Sequence, residues 1–467
     1  MTDTMTGAGR TSIRSRAAAN RAPLVGLAVA VLLIVAGIAV PAITGWQVHV
    51  KSFPPLHARW DPRLGPGTIP AIAVAALTIA FGMRVAARWP WRRMLLATFL
   101  TAVAWMTSLA TVDGLAGIGH ILDTGYEYLQ TARSVTDFSA TLHEYIARIP
   151  LDSPHNWPVH IAGHPPGALL FFFALVHVGL GSGPAAGSVV LVLAATTPIA
   201  VLVTLRRLGA ETQARWAAPL LATGPAAIWM AVSADAMFGA VAAWGLCALA
   251  GAATARSLRA AVGLAVVAGL LLGYCVMLSY GLPILGILAL AVLLVARGWQ
   301  RLPWVVGAAI VAAVSVVLAF AVWGFSWWSA YPVLVQRYWD GVATKRPFGY
   351  WVWADLAALV FSAGPLVGAS VAAALARLRG MRSTAGGERV VLRGERVVVA
   401  LTVAALATVL VADLSGMSKA EVERIWLPFV PWLLVSTALL PPHWRRFGLA
   451  GQLCFALLLQ HLLFTGW

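Results

Sequence analysis

Charged residues are scarce in this chain. Asp, Glu, Lys and Arg make up 11% of the 467 residues, whereas hydrophobic residues make up 60% and the mean hydropathy is +0.83. A soluble domain carries about 25% charged residues, because its surface must be solvated by water. The composition therefore excludes an ordinary soluble protein and predicts a chain whose main solvent is the lipid bilayer.

Acidic residues and cysteines are scarcer still. The 17 Asp and Glu residues face 33 Lys and Arg residues, which gives a net charge of +16. The basic residues lie in short clusters between apolar runs, the pattern of Lys and Arg that hold the cytoplasmic ends of spans, so no nucleic-acid partner is implied. The three cysteines, Cys247, Cys275 and Cys454, lie in apolar stretches without CxxC spacing, which excludes a zinc motif and a disulfide framework.

Long apolar runs, by contrast, are abundant, and each has about the 20 residues that a transmembrane helix needs. They lie at 23–45, 68–87, 94–112, 166–181, 185–205, 216–233, 236–255, 259–278, 281–296, 303–325, 351–376, 397–414, 425–441 and 447–465. The run 166–181 is barely long enough and begins with two prolines, so we expect it to re-enter or lie obliquely. If this run does not cross the membrane, all the basic clusters between the spans lie on the cytoplasmic side. This predicts an all-α polytopic membrane protein with about 13 transmembrane helices.

The predicted domain organisation is simple. Residues 1–22 are polar and basic and form a disordered cytoplasmic tail, and residues 23–467 form a single transmembrane domain. The Arg- and Gly-rich segment 377–396 is expected to be a cytoplasmic linker that is solvated or contacts lipid headgroups. Richness in Ala, Gly, Val and Arg is typical of a GC-rich bacterial genome, so we expect a multi-pass protein of a bacterial plasma membrane.

The long external loop 113–165 contains two stretches of helical periodicity. Their apolar stripes are Ile118, Leu122, Tyr126 and Leu129, then Phe138, Leu142, Tyr145, Ile146 and Ile149. Such stripes predict amphipathic helices that lie along the membrane surface. Asp123 and Glu127 are four residues apart and would share the polar face of the first helix. They could position a base near an acceptor hydroxyl, or form an ordinary solvated face.

The loop ends in a stretch rich in histidine and proline. His155, His160 and His164 fall within ten residues, and Pro165 and Pro166 stiffen the backbone before the next apolar run. Imidazoles on a rigid backbone could hold a phosphate or a divalent cation. Because their spacing matches no closed zinc motif, no metal is assigned, and no cofactor is expected beyond the open alternative of a divalent cation.

The order of several short motifs resembles the GT-C superfamily of membrane glycosyltransferases, in particular the branch of protein O-mannosyltransferases and lipid A aminoarabinose transferases. Asp113 is an acid just after a span, Asp123 and Glu127 are acids in the first large external loop, and His164 begins a His-Pro-Pro before the next hydrophobic helix. Asp235 is an acid at a later external turn, and Tyr280 belongs to a Ser-Tyr pair. Glu421, Glu423 and Arg424 belong to a late acidic-Arg-aromatic-Leu-Pro stretch. The chain departs from the family in having two extra spans before the loop, and Gly114 where a second acid is common.

The resemblance implies transfer of a sugar from a polyprenyl-phosphate donor to an external glycan, lipid or protein, in one inverting displacement. If the GC-rich composition reflects an actinobacterial source, decaprenyl-phosphate arabinose or mannose would be candidate donors. A carboxylate would deprotonate the acceptor, with Asp113, Asp123 and Glu127 left as alternatives. Cationic groups would bind the donor phosphate. Arg424 is the first choice for this role, and the further candidates are His160, His164, Lys345 and Arg346. The other residues expected at the cavity are Tyr126, Asp235, Tyr280, Tyr350, Asp355 and Glu423.

Two other functions were weighed. A transporter or flippase of a lipid-linked or polar substrate usually shows repeated halves and charged groups near the bilayer midplane, and the sequence has neither. A membrane scaffold without activity would tolerate substitution of all the acids and of Arg424. The clustering of charges toward one face favours external chemistry.

Overall fold

The computed structural model describes residues 5–296, 298–382 and 393–466. These residues are almost entirely helical, as the sequence predicts. The helices of the first half are α1 (Met5–Thr44), α2 (Thr68–Leu77), α3 (Met83–Arg88), α4 (Trp91–Ala110), α5 (Tyr128–Ser134), α6 (Phe138–Glu144), α7 (Val159–Ala162), α8 (Gly167–His177), α9 (Gly183–Arg207), α10 (Glu211–Thr223), α11 (Ala227–Met230) and α12 (Ala234–Ala253).

The second half continues in the same way. Its helices are α13 (Leu258–Leu278), α14 (Gly286–Ala296), α15 (Leu302–Val322), α16 (Trp327–Asp340), α17 (Phe348–Ala363), α18 (Leu366–Arg382), α19 (Arg393–Leu414), α20 (Val422–Ile425), α21 (Val430–Leu434) and α22 (Pro442–Leu462). Two short strands, β1 (Arg59–Trp60) and β2 (Leu463–Phe464), pair antiparallel and join the first long loop to the end of the chain.

Eight helices of the described residues are long and apolar enough to cross a membrane. They are Arg21–Thr44, Thr68–Arg88, Trp91–Asp113, Gly183–Arg207, Ala234–Ala253, Leu258–Leu278, Trp299–Val322 and Arg393–Leu414. A ninth span results if the bent pair Phe348–Ala363 and Leu366–Leu378 counts as one. The chain is thus an all-α polytopic membrane protein, but the prediction of thirteen spans is not confirmed.

Proline and glycine explain the lower number of long helices. The apolar run 216–233 stops being helical at Thr223 because Gly224 and Pro225 follow, and the run 425–441 contains Pro428 and Pro431. Proline removes a backbone donor and clashes with the preceding turn, so it divides these runs into short helices. Hydrophobicity alone does not reveal such breaks.

Helix α8 is also short, as the sequence predicts for 166–181. Its 11 residues rise by about 16 Å, roughly half the thickness of the hydrocarbon layer. The next helix, α9, begins at Gly183, which packs against the backbone of Gly119 in the long loop. Helix α8 therefore enters the bundle and the chain returns to the same end.

The first predicted surface helix of the loop 113–165 is wrong. Residues 115–118 and 121–123 form separate 3₁₀ turns, and α5 starts only at Tyr128. Glycines at 117, 119 and 125 interrupt the periodicity, because glycine loses the most conformational freedom in a helix. Consequently Asp123 and Glu127 do not share a helical face. The second surface helix is present as α6, and the Asp137 side chain caps it by accepting from the Ala140 N–H at 3.1 Å.

The ends of the transmembrane domain differ partly from expectation. Helix α1 starts at Met5 and so covers most of the tail that was expected to be disordered, in keeping with the high helix propensity of its Ala and Arg residues. Residues 1–4 lie outside the described residues. In the linker 377–396, helix α18 continues to Arg382 and α19 begins at Arg393, and residues 383–392 likewise lie outside the described part of the chain.

Helices α17 and α18 meet at an angle of 106°. The break falls at Gly364, whose φ of +79° is a left-handed conformation that suits glycine, and Pro365 follows it. Such a break leaves backbone groups without helical partners. The buried Gln452 of α22 takes up two of them: its Nε2 donates to the Ala363 carbonyl at 2.8 Å, and its Oε1 accepts from the Leu366 N–H at 3.4 Å.

Replacing Gln452 with leucine is expected to lower the free energy of unfolding by about 1–3 kcal/mol, because two buried backbone groups lose their partner. Thermal unfolding of the detergent-purified protein, followed by tryptophan fluorescence, measures the change. Leu458→Ala on the same helix is the control, since the Leu458 side chain is 60% exposed. Equal melting temperatures for Q452L and the wild type would show that the amide does not stabilise the break.

One end of the helix bundle carries the long loops of the described residues, and we call it the loop end. Helix α12 begins there with Asp235 in its first turn, α13 ends there just before Ser279, and α19 ends there before residues 415–421. The loops 113–165 and 323–347 cover the same end. Residues distant in sequence thus meet above the helix ends.

Candidate functional site

A cavity of about 370 Å³ lies at the loop end. Its polar wall contains His160, His164, Ser279, Tyr280, Tyr331, Tyr338, Arg346, Ser415, Ser418, Lys419, Glu421 and Arg424. Its apolar wall includes Val159, Leu282, Ile284, Leu334, Val411, Ala412, Ile425, Trp426 and Phe429. The cavity is therefore amphipathic, since cations line it together with aliphatic and aromatic side chains.

Arg424, on the short helix α20, is the centre of the polar wall. Its guanidinium is buried and donates to Asp235 Oδ2 at 2.6 Å, to Glu421 Oε2 at 3.0 Å and to His160 Nε2 at 3.4 Å. Burial would lower the pKa of Arg424, but Asp235 and Glu421 outweigh burial and raise the pKa above its usual value. The side chain is thus a permanent cation that joins α12, α20 and the long loop.

Glu127 and His160 form a second pair next to Arg424. Glu127 Oε1 lies 2.7 Å from His160 Nδ1, and the carboxylate is buried. Burial would raise the pKa of Glu127, but His160 and Arg424 outweigh burial and lower the pKa. Since Arg424 donates to Nε2, the proton of a neutral His160 is on Nδ1 and points at Glu127. A continuous chain of contacts links Glu127, His160, Arg424 and Asp235.

The histidine-proline stretch is held rigidly by its own loop. His164 Nδ1 lies 2.7 Å from the His160 carbonyl, and the Tyr145 hydroxyl donates to the carbonyls of Ile161 at 3.0 Å and His164 at 3.1 Å. The indole of Trp157 in turn donates to the Tyr145 carbonyl at 2.9 Å. Burial is the main cause that lowers the pKa of His164, so its ring is neutral at pH 7. These contacts fix both rings at the wall of the cavity.

Arg346 and Lys419 supply two further cations. Arg346 Nη1 donates to the Lys419 carbonyl at 2.6 Å and its Nε to the His49 carbonyl at 3.3 Å. Lys419 Nζ donates to the carbonyls of Ala343 at 3.2 Å and Arg346 at 3.1 Å. Both side chains are nearly buried. Neutral carbonyls account for the hydrogen bonds of both side chains, and Arg346 also lies 3.8 Å from Glu421 Oε1.

Two charged residues of this wall, Lys419 and Glu421, were not predicted as site residues from the sequence. Glu421 was quoted in the late motif but given no place in the site, and Lys419 was not considered. The signal for Lys419 was available, because a lysine in an external segment runs against the positive-inside bias, the same argument that singled out Arg424. The contact of Glu421 with Arg346, at 3.8 Å, joins segments 75 residues apart and leaves no mark in local sequence.

The candidate residues divide into four groups. His160, His164, Tyr280, Arg346 and Arg424 line the cavity. Glu127 and Asp235 lie behind its wall, where they contact His160 and Arg424.

Three candidates support the neighbouring backbone without lining the cavity. Asp355 accepts from the Ala420 N–H at 3.0 Å, Glu423 accepts from the His57 N–H at 3.2 Å, and the Tyr350 hydroxyl donates to the Gly37 carbonyl at 2.7 Å. They hold the segment 420–424 and the helix end beside it. None of the three is among the residues that line the cavity.

Four candidates lie away from the cavity. Asp113 pairs with Arg63 and accepts from Gln460 Nε2 at 2.9 Å, near the β1–β2 pair. Asp123 pairs with Arg133 on the surface, Tyr126 is 69% exposed, and Lys345 is exposed. The glycines around 117–125 turn the chain so that Glu127 alone, of the three acids considered as base, faces inward.

No family model, no curated protein and no solved structure matches the chain. The chemistry of the site therefore has to be inferred from its own residues. Within the described ranges, no group of three or more His, Cys, Asp and Glu side chains is arranged to hold a metal ion.

Glu423 gives the site region a dependence on pH. Burial is the main cause that raises its pKa from 4.5 to about 7. Between these values the native protein holds a proton that the unfolded chain releases, so the stability of the wild type falls as the pH rises through this window, by roughly 3 kcal/mol in all.

The variant Glu423→Gln should lack this fall, and its melting temperature should exceed that of the wild type more at pH 8 than at pH 5. Thermal unfolding at both pH values measures this difference. Glu144→Gln, at an exposed carboxylate of α6, serves as control and should follow the wild type. A constant offset between E423Q and the wild type at both pH values would contradict the prediction.

Proposed function

We propose that the chain is a membrane glycosyltransferase of the GT-C type, which moves a sugar from a polyprenyl-phosphate donor to an acceptor outside a bacterial plasma membrane. One observation carries the proposal: the buried Arg424, with Arg346 and Lys419 beside it, faces an amphipathic cavity at the helix ends. Buried cations at a membrane interface are costly unless an anion or a hydrogen-bond network uses them. A lipid-linked phosphate is the ligand that such a cavity fits.

The two walls of the cavity match the two parts of this ligand. Arginine side chains bind phosphate oxygens in pairs, and a neutral imidazole adds a further polar contact. The apolar lining includes Val411 and Ala412 near the end of α19, and Val411 is 48% exposed, so this lining reaches the outer surface of the bundle. That direction suits an isoprenoid chain, which needs an apolar groove. Tyr280 and Tyr331 supply aromatic faces on which a sugar ring could stack.

The proposed reaction is a single displacement at the anomeric carbon. The acceptor hydroxyl forms the new bond to that carbon as the bond to the donor phosphate breaks, and the phosphate leaves with the electron pair. When Arg424 turns its Nη2 toward the phosphate, His160 Nε2 is released and takes the acceptor proton. Glu127 stabilises the imidazolium through Nδ1, as a carboxylate does in other acid-base dyads. The cations neutralise the charge that develops on the leaving phosphate.

The membrane orientation belongs to the proposal. We place the loop end outside and the N-terminus in the cytoplasm, since basic clusters such as 84–93 and 206–215 lie at the opposite end. The shorter apolar helices Gly167–His177, Leu282–Ala296 and Val430–Leu439 would add partial or oblique passages to the longer spans. A count near thirteen would require several of these segments to cross together with their neighbours.

The second candidate function is transport or flipping of a lipid-linked or polar substrate. The broken pair α17–α18 favours it, because discontinuous helices form the binding sites of many transporters. At this break, however, the backbone groups of Ala363 and Leu366 are taken up by Gln452. The charged residues lie instead at the cavity, which favours chemistry at the surface.

Incubating the purified protein with a panel of radiolabelled polyprenyl-phosphate sugars and an extract of envelope acceptors tests the proposal. We expect one labelled sugar to be transferred to an acceptor, with release of polyprenyl phosphate. In a parallel arm, proteoliposomes that contain the same labelled lipids report translocation between leaflets. Translocation without discharge of any label would favour the transporter, and tolerance of Arg424 substitution in both arms would favour a scaffold.

A further inference from the structure

Glu421 is the only carboxylate among the described residues that line the cavity. Its side chain is 23% exposed, whereas those of Arg346 and Arg424, its two partners, are 9% and 5% exposed. The carboxylate is thus the member of this ion-pair group that a ligand in the cavity meets first. Burial would raise its pKa, but Arg424, His160, His57 and Arg346 outweigh burial and lower the pKa to about 2, so it is ionised at neutral pH.

The carboxylate divides its two oxygens between the two arginines. Oε2 accepts from Arg424 Nη2 at 3.0 Å, and Oε1 lies 3.8 Å from Arg346 Nη2. The second distance is an ion-pair contact longer than a hydrogen bond. The unesterified oxygens of a phosphate monoester or diester lie farther apart than those of a carboxylate, so a phosphate can match both arginines by accepting a hydrogen bond from each, whereas Glu421 accepts one from Arg424 alone.

Both arginines keep their positions without Glu421. Arg424 is tied to Asp235 at 2.6 Å, and Arg346 is tied to the carbonyls of His49 and Lys419. The departure of the Glu421 carboxylate would therefore leave a preformed anion site. Since Asp235 lies behind the cavity wall, it does not compete with a ligand for the same space.

The backbone of Glu421 is fixed, whereas its side chain is partly open to the cavity. Ala420 and Glu421 have φ values of 69° and 61°, so two consecutive residues other than glycine adopt the left-handed conformation. This conformation persists only where the surroundings impose it. Here the Asp355 carboxylate holds the Ala420 N–H, and the Glu421 carbonyl accepts from the N–H groups of Arg424 and Ile425. Displacement of the carboxylate therefore needs only a rotation of the Glu421 side chain and leaves the backbone in place.

We propose that the Glu421 carboxylate occupies the position between Arg346 and Arg424 that the phosphate of a ligand takes on binding. A phosphate monoester or diester then displaces this carboxylate. The identity of the phosphate as that of a polyprenyl lipid rests on the proposed function, whereas the displacement does not depend on sugar transfer. Chloride is spherical and has no pair of oxygens to offer to two guanidinium groups, so it gains little by replacing a carboxylate that is already in contact with both arginines. The exchange therefore selects for phosphates and keeps chloride from occupying the cavity.

Binding measurements on the full chain in nanodiscs test this inference. Isothermal titration with decaprenyl phosphate and, separately, with inorganic phosphate is compared between the wild type and Glu421→Gln, which removes the charge at nearly constant shape. We expect the variant to bind at least one probe about 10-fold more tightly or better, because the internal competitor is gone. A gain with the lipid alone identifies the lipid headgroup as the source of the phosphate, and a gain with both identifies phosphate in general.

Two further variants keep the outcome interpretable. Glu421→Asn removes the same charge and tolerates the left-handed backbone, so it replaces E421Q if that variant does not fold. Glu144→Gln, at an exposed carboxylate of the same face, should bind both probes as the wild type does.

The outcomes separate this inference from the proposed function. Equal or weaker binding of both probes by E421Q and E421N overturns the inference, as does the absence of phosphate binding in every variant. If the wild type transfers no sugar while E421Q binds phosphate more tightly, the proposed function fails and the displacement stands.

Discussion

Replacing Arg424 with lysine is expected to lower the rate of sugar transfer by at least about 100-fold, the usual loss when one preorganised group that stabilises developing charge is removed. The guanidinium contacts Asp235, Glu421 and His160 through two different nitrogens. A lysine presents one nitrogen and cannot hold Asp235 and a phosphate in the same geometry. The loss should therefore appear in turnover as well as in donor affinity.

Lysine is preferred to alanine because it retains the positive charge. Removing the charge would leave Asp235 buried and unpaired, which destabilises a protein by about 3–5 kcal/mol and would confuse loss of activity with loss of fold. The measurement is discharge of the labelled donor that the wild type accepts, at saturating donor concentration. Arg133→Lys on α5 is the matched control, because its pair with Asp123 is exposed. Turnover of R424K within a few-fold of wild type would show that Arg424 takes no part in the reaction.

Replacing Glu127 with glutamine should lower turnover by a similar factor of about 100 or more, within the range that a positioned acid-base group contributes. The amide keeps the shape of the carboxylate but cannot stabilise the imidazolium that His160 forms when it takes a proton. Since the neighbouring cations lower the pKa of Glu127, the wild-type carboxylate stays ionised across the neutral range. The defect of E127Q should then be nearly constant between pH 6 and pH 8.

If Glu127 and His160 act as one unit, the double variant E127Q/H160Q should be no slower than the slower single variant. Asp113→Asn and Asp123→Asn decide between the three acids, because their carboxylates contact Arg63 and Arg133 away from the cavity. Both should transfer sugar within about threefold of wild type, as should the exposed control Glu144→Gln. A loss in D113N or D123N that exceeds the loss in E127Q would contradict the assignment of the base.

The helical membrane architecture could be predicted from the sequence because it depends on long apolar runs, which are visible residue by residue. The spans at 23–45 and 397–414 recur in the structure within a few residues. The count of spans could not be predicted in the same way. Whether a proline such as Pro198 is tolerated inside α9 or, like Pro225, ends a helix depends on which neighbours take up the freed carbonyl.

The candidate site was partly predictable for a different reason. Arg424 stands out since cations are rare in external segments, and His160 and His164 stand out since prolines fix their backbone. The choice among the acids could not be made, because one turn at 123–125 decides which carboxylate faces inward. Contacts across the fold, such as that of Glu421 with Arg346, depend on tertiary packing and have no local pattern.

The pairing of β1 with β2 has a consequence for the folding of this protein. Arg59 and Trp60 lie in the loop that follows α1, whereas their partners Phe464 and Leu463 follow α22, far away along the chain. The residues between α1 and β1 also contact the site region, because the His57 N–H binds Glu423. The backbone of this loop can therefore be paired only once α22 has taken its place in the bundle.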